Sequence, residues 1–163
     1  MISSEADLFA YARDLVFEIE GLAIAVLAPG ADVPIARDRN GGLLVHLECR
    51  LPADRSEPAA VLEIREQWLQ TGHDRYERAD YRLELRDPRL RFRRALHAHD
   101  AARFLAAHDV ATHEHCEATL GAPTCDRYFG EPVRDAVDGF RRLYELWLSG
   151  ERPDCAALRC LAA

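Results

Sequence analysis

Lysine is absent from this sequence: all 21 basic residues are arginine, set against 28 acids, for a net charge of −7 over 163 residues. The bias fits a GC-rich coding sequence, and it leaves only guanidinium groups, the better clamps for phosphate. A chain this acidic is not expected to coat nucleic acid nonspecifically. No apolar run reaches the roughly 18 residues that cross a bilayer, and the opening MISSEADLFAYARDLVF carries acids where a secretory signal carries bases. A cytoplasmic protein with no membrane partner is expected. Cysteine is scarce and odd in number: Cys49, Cys116, Cys125, Cys155 and Cys160 fall at irregular spacing, which argues against a disulfide framework and fits a reducing compartment. The chain also lacks a glycine-rich phosphate loop, a dinucleotide fingerprint, and any strained elbow or oxyanion loop around Cys116. Repeats, low-complexity stretches and linkers are missing too, and the length is that of one domain, 1–163.

What is present is a globular pattern, 48% apolar and 30% charged, with its charge unevenly spread. Residues 75 to 94 hold eight arginines against Glu77, Asp80, Glu84 and Asp87, a local +4 that leaves −11 on the remainder of a chain totalling −7. A basic strip therefore crosses an acidic body.

Residues 4 to 20 predict a helix, capped by Ser3 or Ser4, with Leu8, Tyr11, Leu15 and Ile19 at helical spacing and Gly21 as the stop. LAIAVLA at 22 to 28 reads as a buried strand, and 30 to 42 as a loop. Alternation of Leu43, Val45, Leu47 and Cys49 with Leu44, His46 and Glu48 predicts a half-buried strand. Segment 57 to 71 fits strand or helix; Leu62, Ile64 and Trp68 favour the strand. Residues 78 to 85 and 90 to 97 form a hairpin turning at Asp87-Pro88, with Ala79, Tyr81, Leu83 and Leu85 on one face and Arg78, Asp80, Arg82 and Glu84 on the other. A short helix is expected at 101 to 107, and a final amphipathic one at 132 to 149, begun by Pro132 and ended by Gly150. Trp68 and Trp147 sit on apolar stripes and read as core anchors. The fold class that follows is α+β: an antiparallel sheet of four to five strands packed by an N-terminal and a C-terminal helix.

Five of the seven histidines lie in HAHDAARFLAAHDVATHEHCE, residues 97 to 117. Side chains alternate along a strand, so His97 and His99 share a side, as do His113 and His115 if that segment is extended. Three accounts fit. The histidines and aspartates populate a solvated loop. Alternatively the two His-x-His pairs converge on zinc, nickel or manganese, with Asp100, His108, Asp109, Cys116 or Glu117 completing the shell. Or the imidazoles pass protons while Arg91 and Arg93, on the same strand face as His97 and His99, hold a phosphate, the minimum kit of a metal-independent ribonuclease.

The order VLEIREQWL, YERADYRLELRDPRLRFRRALHAHD, HEHCE and a terminal amphipathic helix, over about residues 60 to 149, resembles the TumE-like family of small bacterial toxin components. The resemblance implies the toxic half of a toxin–antitoxin pair, with a cognate antitoxin as partner and RNA as target. Tyr81, Arg93, His97, His113 and His115 match the family pattern, which implies His97, His113 or His115 as acid and base. Arg91 and Arg93 would hold phosphate, with Tyr81 beside them at the substrate. The chain departs from the pattern in its first 56 residues and in the spacing inside 98 to 112. A second class of reading keeps the fold and drops the chemistry: a non-catalytic domain whose acidic surface and apolar helix face bind a partner protein.

Overall fold

The computed structural model describes residues 2, 4–22, 26–27, 35–37, 39, 41–51, 60–98, 112–117, 125–127 and 133–150, and for residues 26–27, 92, 112–117 and 125–127 it describes the backbone alone. Two helices and eight strands make up these residues. Helix α1 (Glu5–Gly21) begins where the Ser4 hydroxyl accepts the Asp7 N–H at 3.1 Å, and acids Glu5 and Asp7 occupy the first turn, where the positive end of the helix dipole favours them. Its buried stripe is Leu8, Ala12, Leu15 and Ile19. Helix α2 (Ala136–Ser149) is capped by Asp135, whose carboxylate accepts the Asp138 N–H at 2.8 Å. It ends at Gly150, whose φ of 65° is the left-handed turn that glycine adopts most readily. The sequence places this helix start at Pro132; the carboxylate of Asp135 sets it instead, and Pro132 lies outside the described residues.

The strands are β1 (Val26–Leu27), β2 (Ile35–Arg37), β3 (Leu43–Leu51), β4 (Ala60–Gly72), β5 (Arg75–Asp87), β6 (Phe92–Ala98), β7 (Thr112–Glu117) and β8 (Cys125–Arg127). All pairings are antiparallel in one sheet, ordered β1-β3-β4-β5-β6-β7-β8, with β2 beside β1 along the same edge of β3. Five strands, β3 to β7, have six residues or more and form the predicted antiparallel platform; β1, β2 and β8 are short additions. The fold is α+β.

Of segment 57 to 71 the described residues, 60 to 71, are strand, because their burial has a period of two: Ala60, Leu62, Ile64, Glu66 and Trp68 are all buried. The expected loop at 30 to 42 contains β2, and of the expected strand at 22 to 28 only Val26–Leu27 is described. The helix expected at 101 to 107 lies outside the described residues.

One face of the sheet is apolar and carries both helices. Leu43, Val45, Leu47, Cys49, Leu62, Ile64, Leu83 and Leu85 pack with Leu8, Leu15, Ile19, Phe140 and Leu143 in one core cluster. Trp68 is buried there as expected, its ring 5.7 Å edge-on from that of Tyr11.

A β-bulge breaks the parity of β5. Gln67 pairs with Asp80 but Trp68 pairs with Arg78, which leaves Ala79 unopposed. Arg78 therefore turns onto the helix side rather than joining Asp80 and Arg82 as the simple alternation expects. There its guanidinium donates to Glu66 at 2.7 Å and to the Val133 and Arg134 carbonyls, and it lies 4.6 Å from the centroid of the Tyr81 ring. Glu66 is 0% exposed and accepts two further hydrogen bonds, from the Tyr11 hydroxyl at 2.8 Å and the Trp68 indole at 3.2 Å. The Tyr11 oxygen in turn accepts the Ala136 N–H at 2.8 Å. Sheet, α1 and the start of α2 thus meet at one buried carboxylate, satisfied by three donors.

Where α2 crosses the sheet, Gly139 leaves room for the side chains beneath it. A Cβ there would meet Leu83 Cδ2 at 2.6 Å and Val133 Cγ1 at 2.9 Å. Gly139→Ala is expected to destabilise the protein by about 1–2 kcal/mol in urea unfolding, because overpacking costs more than the roughly 1 kcal/mol gained by replacing a helical glycine. A variant as stable as the wild type would show that the helix seats less closely.

Candidate functional site

The second face of the sheet is polar, and the register arranges it in rows that run across the strands. One row is His46–Arg65–Arg82–His97–His113, each residue the Cα partner of the next through β3 to β7. The row beside it is Glu48–Glu63–Glu84–Ala95–His115, and the one beyond is Arg50–Val61–Arg86–Arg93–Glu117. A line of carboxylates thus lies between two lines rich in arginine and histidine.

Glu84 is the hub. It is 2% exposed and accepts from two guanidinium groups, Arg93 through Nε at 2.8 Å and Nη2 at 2.9 Å and Arg82 through Nε at 2.9 Å and also Nη2, and it forms an ion pair with a third, Arg86, whose Nε lies 3.1 Å away. Burial pushes this carboxyl up, but the hydrogen bonds and charges of Arg93 and Arg82 outweigh it and hold the pKa at about 2. Arginines on three sides hold this carboxylate in a fixed geometry. Glu63 continues the line, 3.1 Å from Arg86 Nη2 and 3.1 Å from Nε2 of His46.

The residues singled out in the sequence divide. Arg93 and His97 share this face, four positions apart on β6. His97 is 7% exposed and stands opposite His113 in the β6–β7 ladder, so the extended conformation assumed for 112–117 is present and it brings these two backbone positions together. His115 is the partner of Ala95, one row away. Arg91 leaves the set: it lies in the turn between β5 and β6 with φ 50°, so strand parity does not align it with Arg93. Tyr81 also leaves it. It sits on the helix side, 4% exposed, where its hydroxyl accepts the Val133 N–H at 3.0 Å and anchors the approach to α2.

His99, Asp100, His108 and Asp109 lie outside the described residues, as do the side chains of His113, His115, Cys116 and Glu117. Among the described residues no three metal-capable side chains gather. The two-pair metal reading thus falls almost wholly on positions beyond that description.

Sequence reasoning passed over Arg82, Arg86, Arg65 and His46. Their signal was the same parity that singled out Arg93 and His97, but it needs the strand register to connect residues some 50 positions apart.

No protein-family model, no curated protein and no solved structure matches the chain. The functional reading rests on the chemistry of this face.

The depressed pKa of Glu84 makes a pH signature. Its folded pKa lies below its ordinary 4.5, so its stabilisation is present above that value and is lost as pH falls toward 2. Glu84→Gln is expected to lower stability by about 2–3 kcal/mol at neutral pH and to flatten the decline between those two pH values, read by urea melts at each pH. A parallel decline in wild type and variant would remove Glu84 as the hub.

Proposed function

We propose that this protein acts on single-stranded RNA as the toxic member of a toxin–antitoxin pair, cleaving the backbone without a metal through His97 and His113. The observation that carries the reading is the register pairing of His97 with His113, with Arg82 as the neighbour of His97 on the other side and Arg93 on the same face. One imidazole removes the proton of a ribose 2′-hydroxyl. The freed oxygen attacks phosphorus, the bond to the 5′ oxygen breaks, and the second imidazole protonates that leaving oxygen. A 2′,3′-cyclic phosphate and a 5′-hydroxyl result. Arg82 and Arg93, held by Glu84, supply positive charge next to the developing negative charge on the phosphoryl oxygens.

The reaction needs one imidazole neutral and one protonated, so the rate follows a bell-shaped pH profile centred near the ordinary histidine range. His113→Gln is expected to lower the cleavage rate about 100-fold or more, with unchanged thermal unfolding, and to relieve growth inhibition when expressed in a bacterial host. A folded His113→Gln variant that cleaves at the wild-type rate would refute the assignment.

A second reading, a non-catalytic partner-binding domain, is favoured by the apolar side chains left on the outer helix faces: Phe17 is 75% exposed on α1, and Leu148 and Phe9 are also exposed. It predicts that the purified protein does not cleave RNA and that Phe17→Ser weakens the complex with an antitoxin or other partner at least tenfold in titration. Equal binding by both proteins would count against it.

A further inference from the structure

Resting on that reading of the site, we infer that His46, Arg65 and Arg82 form an extended phosphate subsite that holds the nucleotides flanking the scissile bond, so that the RNA strand crosses the sheet at right angles to β3–β6. Three of the four residues in this part of the row, His46, Arg65 and Arg82, are at least partly open to solvent, while His97 at its far end is buried. Arg65 is exposed and makes no ion pair among the described residues, so its charge is available to a ligand. The two other open members are held in place: His46 Nε2 lies 3.1 Å from Glu63, and Arg82 donates to Glu84.

The direction follows from the neighbouring rows. A polyanion laid along β3 or β4 would pass over Glu48 or Glu63, and one laid along β5 would pass over Asp80, in the row Leu44–Gln67–Asp80. These flanking carboxylates disfavour that path by like-charge repulsion, whereas the row itself offers only guanidinium and imidazole groups. The lane is also too long for one phosphate. Neighbouring strands are about 4.8 Å apart, so His46 on β3 and His97 on β6 are separated by about 14 Å. A substrate that uses both ends must be an oligonucleotide, recognised chiefly through its backbone.

The test compares wild type with Arg65→Gln, a change at an exposed position two strands away from His97. Binding of a fluorescent RNA dodecanucleotide is measured by anisotropy across a salt series, and cleavage is measured on the dodecanucleotide and on a dinucleotide. The variant is expected to bind the dodecanucleotide several-fold more weakly, with the slope of log affinity against log salt reduced by about 0.7, the value of one single-strand phosphate contact. Dinucleotide cleavage should not change. An unchanged slope, or an equal loss on the dinucleotide, overturns the lane, as does wild-type protein that does not bind the dodecanucleotide. Wild-type binding with the expected slope difference but no cleavage supports the lane and removes only the histidine chemistry.

Discussion

The arrangement depends on a carboxylate shut away from water. Glu66 has no exposed surface, and a charge in that position is tolerable only because the Tyr11 hydroxyl, the Trp68 indole and the Arg78 guanidinium all donate to it. Each donor comes with a structural commitment. Tyr11 fixes α1 and, through the Ala136 N–H, the first turn of α2; Arg78 reaches the Val133 and Arg134 carbonyls just ahead of that helix. Apolar packing alone would let two helices slide over a flat sheet of leucines. The hydrogen-bonded charge gives them one position, which is the specificity that a buried polar network can add to a core.

The two faces of the sheet use the same pairing for different ends. On the helix side one guanidinium meets one carboxylate, and the remaining donors are neutral, so the pair is locked and electrically closed. On the open side Glu84 is shared by Arg82, Arg93 and Arg86, and Arg86 reaches on to Glu63, so the ion pairs join into a network along the surface. Asp87, at the end of β5, repeats the locked form: burial raises its carboxyl, but the Trp147 indole, Arg89 and the Leu90 N–H together bring it below its ordinary value and tie α2 to the hairpin turn. That bond also explains why Trp147, read from the sequence as an apolar anchor, is only partly buried: its ring nitrogen has a partner at the edge of the core.

Much of this was legible in the chain. The cap of α1, the glycine that ends α2, the alternation in β3 and the hairpin of β5 and β6 follow from local residue order, because hydrogen-bonding reach and side-chain parity are local properties. The polar face was legible only in part. Parity alone linked Arg93 with His97, but no local pattern connects His46, Arg65 and Arg82 to them; that link is made by register across β3 to β6, a long-range outcome of core packing. Parity misled at two positions for definable reasons. The turn after Pro88 takes Arg91 out of the strand, and the unopposed Ala79 puts Arg78 on the helix side. Tyr81 was misplaced by a different route, since its parity already put it with Leu83 and Leu85 in the core and only family resemblance suggested otherwise.

The bulge at Ala79 divides β5 into two segments of opposite phase. Ahead of it the even-numbered Tyr76 and Arg78 face the helices, and beyond it the odd-numbered Tyr81, Leu83 and Leu85 do. The irregularity insulates the platform from its own hairpin tip. A residue gained or lost around His73-Asp74 would alter only how the tip is closed, whereas the same change between Tyr81 and Asp87 would exchange the leucines of the core for the arginines of the open face. Length variation in this fold is therefore tolerable at one end of the longest hairpin and ruinous at the other.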